Sequence, residues 1–157
     1  PEMKLVIAPH VVSDSHLREI LDKVKRPCIR YTEATEENVT QADCLIIDCY
    51  GLLSSIYRYG EISYIGGGFG VGIHNVLEAA VYGIPVVFGP NNKKFREAQH
   101  LLEQKGGFEV TGYDDFKRLM DKFLSDKACL QQAGKAAGNY VNHNAGALEK
   151  IMKDITL

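Results

Sequence analysis

The sequence has no long hydrophobic run. No apolar stretch approaches the roughly 18–20 residues that a membrane-spanning helix requires. The first residues, Pro1-Glu2-Met3-Lys4, carry no signal-peptide apolar segment. The chain also lacks a charge excess of either sign, with 18 Lys and Arg against 20 Asp and Glu. A nucleic-acid module usually needs a basic face, so no nucleic-acid partner is expected. Cysteine is sparse: Cys28, Cys44, Cys49 and Cys129 form no C-x-x-C pair and no Cys/His cluster with zinc spacing. They read as small buried hydrophobes of a reducing compartment, and no metal site is expected. Cys44 and Cys49 bound an apolar run and, an odd number of residues apart, are expected on opposite faces of a strand. The chain begins without an initiator Met, as expected of a domain cut from a longer protein.

What is present is globular in kind. The 157 residues are 45% hydrophobic and 24% charged, which excludes disorder as the general state and suits one domain over residues 1–157. Leu5-Val6-Ile7-Ala8 reads as a buried strand. Ser13 or Asp14 caps a helix through about Val24, with Leu17, Ile20, Leu21 and Val24 on one face. Cys28 to Tyr31 and Cys44 to Cys49 read as further strands, with a solvated connection at Glu33 to Asn38. Leu52 to Tyr59 reads as a short helix and Ile62 to Ile65 as the fourth strand. A helix is expected from Asn75 to Tyr82, stopped by Gly83. Pro85 to Phe88 is the fifth strand, Lys94 to Lys105 a helix, and Phe108 to Val110 the sixth strand. From about Asp114 the rest reads as helical, with breaks near Ser125-Asp126 and Asn142 to Gly146. Strands alternating with helices at this spacing imply an α/β fold, a Rossmann-like parallel sheet of about six strands with helices on both faces.

Ligands on such sheets bind beyond the carboxyl ends of the strands. Four strand-end clusters therefore carry the functional reading: Pro9-His10, Asp48 to Gly51, Gly66 to Glu78, and Gly89 to Lys94. Gly66-Gly67-Gly68-Phe69-Gly70-Val71-Gly72 puts five glycines in seven residues between a strand and a helix, where backbone N–H groups can cradle a phosphate. The dinucleotide pattern G-x-G-x-x-G fails, because Val71 and Ile73 stand where its last glycine is needed. The Walker pattern fails because Gly134-Lys135 is followed by Ala136. Asn75 and Glu78 fit two roles. They form an N-cap pattern, and Glu78 could also accept hydrogen bonds from two ribose hydroxyls. His10 and His74 suit either a ligand contact or a structural hydrogen bond. Lys93 and Lys94, with Arg96, stand at a helix start where a bound anion would offset their charge.

Gly72-Ile73-His74-Asn75-Val76-Leu77-Glu78-Ala79-Ala80, then Gly83-Ile84-Pro85-Val86, Gly89-Pro90 and Phe95-Arg96-Glu97, resembles the C-terminal domain of the 3-deoxy-D-manno-octulosonic acid (Kdo) transferases. The resemblance runs over essentially the whole chain. It implies one half of a GT-B glycosyltransferase of lipopolysaccharide biosynthesis, moving Kdo from CMP-Kdo to a lipid A precursor. It implies that this half binds the donor nucleotide through Asn75, Val76, Leu77 and Glu78, with Glu78 on the ribose. Gly72 and His74 belong to the same segment, and Tyr50-Gly51-Leu52 matches a second turn lining the pocket. Ala8-Pro9-His10 matches a Pro-Arg-His turn of many relatives, with Pro9 in the Arg position and Lys93 or Lys94 as possible replacement anion contacts.

The resemblance further implies no cofactor and no catalytic residue in this chain. The acceptor site, the catalytic carboxylate and the membrane-associating surface would lie on an N-terminal domain absent from it, and the fragment alone is expected to be inactive. The full enzyme would work on the cytoplasmic side of the bacterial inner membrane. The alternatives are the donor domain of another GT-B transferase or epimerase using a UDP-sugar, and a non-catalytic nucleotide-binding module.

Overall fold

The computed structural model describes residues 3–146. It divides into two compact units between Ile56 and Tyr57. The six parallel strands expected from the sequence are present, three in each unit.

The first unit contains β1 (Leu5–Ile7), α1 (Asp14–Lys23), β2 (Cys28–Arg30), β3 (Cys44–Ile46) and α2 (Leu53–Ile56). Its strands are parallel in the order β1-β3-β2. Helix α1 starts where Ser13 Oγ accepts the His16 N–H and stops at Val24. It buries Leu17, 3% exposed, against Cys44 and Ile46, with Ile20 and Val24 alongside. A fully buried Leu contributes about 1.5–3 kcal/mol, which makes this residue the main anchor of a small core.

Two expectations are corrected here. β1 is not buried: Leu5 and Val6 are 38% and 47% exposed, because β1 is an edge strand and β3 holds the centre. The third strand ends at Ile46, where its ladder partners Ile7 and Arg30 also end, so Cys49 lies beyond the strand and not on its opposite face. Cys44 is buried, and the other three cysteines are half-buried free thiols. Burial and the neighbouring Cys28 push the Cys44 thiol up to about 12, so it stays protonated and unreactive.

The second unit contains β4 (Ser63–Ile65), α3 (Leu77–Ala80), β5 (Val86–Phe88), α4 (Arg96–Glu103), β6 (Gly107–Glu109), α5 (Tyr113–Ser125) and α6 (Lys127–Asn144). Its strands are parallel in the order β4-β5-β6. β5 is wholly buried, and its alternating side chains serve two cores. Val86 and Phe88 pack with Ala79, Ala98, Leu101, Ala137 and Tyr140. Val87 packs with Val110, Met120, Phe123 and Ala133. Helices thus cover both faces of this sheet. Helix α6 serves both cores and lies close on the turn after α3: a Cβ on Gly134 would stand 2.2 Å from the Gly83 carbonyl oxygen.

The break at Ser125-Asp126 appears as expected, with Asp126 capping α6 through the Cys129 N–H. Helix α3 is shorter than the expected Asn75–Tyr82. The Tyr82 and Gly83 N–H groups bond three residues back, to Ala79 and Ala80, and Gly83 turns left-handed at φ 69°, which closes the helix early. Helix α4 begins at Arg96, so Lys93 and Lys94 lie in the turn before it. The helical reading beyond Gly146 lies outside the described residues. No helix among those described is long and apolar enough to cross a membrane.

Candidate functional site

In the first unit, β1 and β3 are adjacent and parallel, so Pro9-His10 and Asp48 to Leu52 both leave the same edge, beyond the carboxyl ends of these strands. Asp48 is a loop anchor. Its side chain is 1% exposed and accepts the Thr32 N–H at 3.0 Å, the Thr32 hydroxyl at 2.5 Å and the Arg30 Nε–H at 3.0 Å. Burial pushes its carboxyl up. The two Thr32 hydrogen bonds, its own backbone N–H and the Arg30 charge outweigh that and hold it below its ordinary value of 3.8. Tyr50 is 76% exposed, and Gly51 turns at φ 90° with open space around it.

In the second unit, the glycine loop is a built turn and not a slack connection. The Gly70 and Gly72 N–H groups both donate to the Gly67 carbonyl, and the His74 N–H donates to the Gly66 carbonyl. Those three amides are spent within the loop, which narrows the phosphate cradle expected from the glycine count. The glycines answer a packing need as well. A Cβ on Gly68 would lie 2.6 Å from Gly89 Cα, and one on Gly72 would lie 2.9 Å from the Phe95 ring. The loop is latched to the end of β5: the Asn91 N–H donates to the Gly68 carbonyl at 2.9 Å, and Asn91 Nδ2 donates to the Gly70 carbonyl at 2.6 Å.

Asn92, only 1% exposed, ties that end to its surroundings. Its Nδ2 donates to the Gly89 carbonyl and to Glu109 Oε2, while its Oδ1 accepts from Gln99 Nε2 at 2.6 Å. The end of β5, the end of β6 and α4 are therefore held together by one buried amide.

Asn75 and Glu78 meet. Asn75 Oδ1 accepts the Leu77 N–H, and Asn75 Nδ2 donates to Glu78 Oε1, each at 3.0 Å. This differs from the expected capping box, in which Glu78 would reach a backbone N–H. Here the Asn75 side chain caps and orients the carboxylate, leaving Glu78 Oε2 without a hydrogen bond among the described residues. The Glu78 charge also reaches Tyr57, whose hydroxyl is raised by burial and then by that carboxylate.

Beside this pair lies a pocket of about 220 Å³ lined by residues 73–77, Phe95 and Glu97. Val76 and Leu77 belong to the expected segment; Val76 is buried and Leu77 half-buried beneath it. Lys93 and Lys94 stand exposed in the turn before α4. The structure thus gathers Gly72, His74, Asn75, Val76, Leu77 and Glu78 in one place and Pro9, His10, Tyr50, Gly51 and Leu52 in another. Sequence reasoning passed over Tyr57, Asn91, Asn92 and Glu97 as site-building residues. Phe95-Arg96-Glu97 was visible as a motif, but nothing in one dimension placed it beside Asn75.

No protein-family model matches the chain. Curated relatives do. The 3-deoxy-D-manno-octulosonic acid transferase of Aquifex aeolicus (strain VF5) is 32% identical over 127 residues, covering 80% of this chain and 35% of that protein. The protein of the same name from Haemophilus influenzae is 29% identical over 158 residues, covering 97% of this chain and 36% of that protein. The chain spans about a third of the length of these relatives. Among solved structures, the C-terminal CMP-Kdo binding domain of WaaA from Acinetobacter baumannii superposes with a TM-score of 0.75 at 17% identity, over 87% of this chain and 72% of that one. That likeness supports the fold.

Proposed function

We propose that this chain, a member of the 3-deoxy-D-manno-octulosonic acid transferase family, is the C-terminal donor-binding domain of such an enzyme and binds the nucleotide of CMP-Kdo. Residues 1–157 then form one half of a GT-B glycosyltransferase. The observation that carries the reading is the Glu78 carboxylate, held by Asn75 beyond β4 with one oxygen left to accept from ligand hydroxyls. Two adjacent ribose hydroxyls suit such an acceptor. Gly72, His74, Val76 and Leu77 shape the surrounding wall, and Lys93 and Lys94 supply cations to an anionic donor. Pro9, His10, Tyr50, Gly51 and Leu52 belong to the same reading as strand-end contacts of the first unit.

The reaction is transfer of Kdo to a lipid A precursor with CMP leaving. Attack on the anomeric carbon needs a general base at the acceptor hydroxyl. Asp48 is committed to Thr32 and Arg30, and Glu78 to Asn75, so the base and the acceptor site are assigned to the N-terminal domain of the whole enzyme. That domain would also make the membrane association, at the cytoplasmic face of the inner membrane.

Calorimetric titration of the chain with CMP, UMP and NAD tests the proposal. CMP is expected to bind most tightly. A preference for UMP would favour a UDP-sugar transferase, and a preference for NAD or no nucleotide binding would overturn the assignment. Glu78→Gln separates the two roles of that residue. Gln can still accept from Asn75 Nδ2, so the cap persists and the melting temperature is expected to hold. The charge is lost, and CMP affinity should fall by about 1–3 kcal/mol. The 2′-deoxy analogue dCMP should bind wild type weakly and be little affected by the substitution. Unchanged CMP affinity in Glu78→Gln would refute the ribose role.

A further inference from the structure

The pocket beside Asn75 contains a carboxylate that nucleotide binding does not use. Glu97 lies in the first turn of α4 and lines the pocket together with Phe95 and residues 73–77. Other acidic groups near the strand ends are committed: Asp48 to Thr32 and Arg30, Glu78 to Asn75, Glu109 to Asn92. The Glu97 carboxylate makes no hydrogen bond or ion pair among the described residues.

The walls around it are rigid. Ile73 and Val76 are each 4% exposed, and the Phe95 ring is seated against Gly72, where no Cβ would fit. At about 220 Å³ the pocket is smaller than the roughly 300–1,000 Å³ that takes a drug-sized ligand, so it suits a single sugar ring better than a nucleotide. It combines an apolar and aromatic wall for the C–H face of a sugar, an amide at Asn75, and a carboxylate able to accept from two neighbouring hydroxyls. It shares Asn75 with the Glu78 pair, so a ligand held by Glu78 would direct its next group toward this pocket.

We propose that this pocket is the subsite for the sugar of the donor, and that Glu97 determines specificity by accepting hydrogen bonds from two sugar hydroxyls. The inference rests on the nucleotide-donor reading above. A carboxylate at this point favours a hydroxyl-bearing face and repels an anionic one, so the donor's own carboxylate and phosphate would face away from Glu97.

The test is calorimetric titration of the chain with CMP and with freshly prepared CMP-Kdo, for wild type, Glu97→Gln, and Glu103→Gln as a control on the same helix. Wild type is expected to bind CMP-Kdo about tenfold more tightly than CMP, the scale of a charge-assisted hydrogen bond. Glu97→Gln should bring that ratio close to one while leaving CMP affinity and melting temperature unchanged, and Glu103→Gln should keep the wild-type ratio. Equal binding of the two ligands by wild type, or a ratio retained in Glu97→Gln, would overturn the subsite while leaving the nucleotide reading intact. Equal weakening of both ligands would show Glu97 to be structural and overturn it too. Failure of wild type to bind CMP would instead remove the nucleotide reading, and the subsite with it.

Discussion

Gly68→Ala is expected to unlatch the glycine loop and to cost about 3 kcal/mol of stability, at the upper end for overpacking. The added methyl would stand 2.6 Å from both Cα and N of Gly89 and 2.9 Å from its carbonyl carbon. All three are backbone atoms, so no rotamer change relieves the clash, and one of the two segments must move. Either movement pulls on the Asn91 bonds to the Gly68 and Gly70 carbonyls, and through Asn92 on Glu109 and Gln99. For a chain of this size the melting temperature should drop by about 6–12 °C, and CMP binding should be lost with the loop. Gly112→Ala is the control. Its position has open space, and it is expected to change stability by less than about 0.5 kcal/mol. A Gly68→Ala protein that melts with the control would mean that the two backbones do not cross as closely as described.

Asp48→Ala is expected to destabilise the first unit by about 3 kcal/mol, the lower end for removing one partner of a buried ion pair. The lower end applies because Arg30 remains 29% exposed and water solvates part of the charge left behind. Thr32 would lose the acceptor for both its N–H and its hydroxyl, and the turn after β2 would lose its tie to the end of β3. The pH dependence has a definite sign. The Asp48 carboxyl is held below 3.8 in the folded state, so its contribution is fully present above that value. It is lost as pH falls below about 4, toward the lowered folded-state value. Chemical denaturation at pH 7 and near pH 3 checks this. The gap between wild type and Asp48→Ala should narrow at the lower pH, and a gap that is constant with pH would refute the charged role of Asp48.

The sequence by itself determined the class of fold and the order of its elements, because both are local properties. Apolar runs such as Cys44 to Ile47 and Pro85 to Phe88 read as strands without reference to anything distant. The Leu17-Ile20-Val24 spacing read as a helix face, and Ser13 and Gly83 stood as its start signal and another helix's stop. The family was legible for the same reason: the block from Gly72 to Ala80 is contiguous, and its relatives share it in the same order.

Tertiary structure decided everything that depended on two distant segments meeting. The count of glycines suggested a phosphate cradle, but the need for Gly68 comes from Gly89, and that for Gly72 from the Phe95 ring. The burial of β1 could not be read from Leu5-Val6-Ile7, since apolarity does not say whether a strand is central or at an edge, and β3 took the centre. Asn92 read as one of two polar turn residues. Its place as a buried junction arises only because Gln99 and Glu109 come back to it from α4 and β6. Glu97 has the same standing: on the chain it is one acid in the first turn of a helix, and only the close approach of that turn to residues 73–77 makes it part of a pocket. Periodicity and capping act over a few residues, whereas hydrogen bonds and steric exclusion between segments depend on separations that the order of residues does not encode directly.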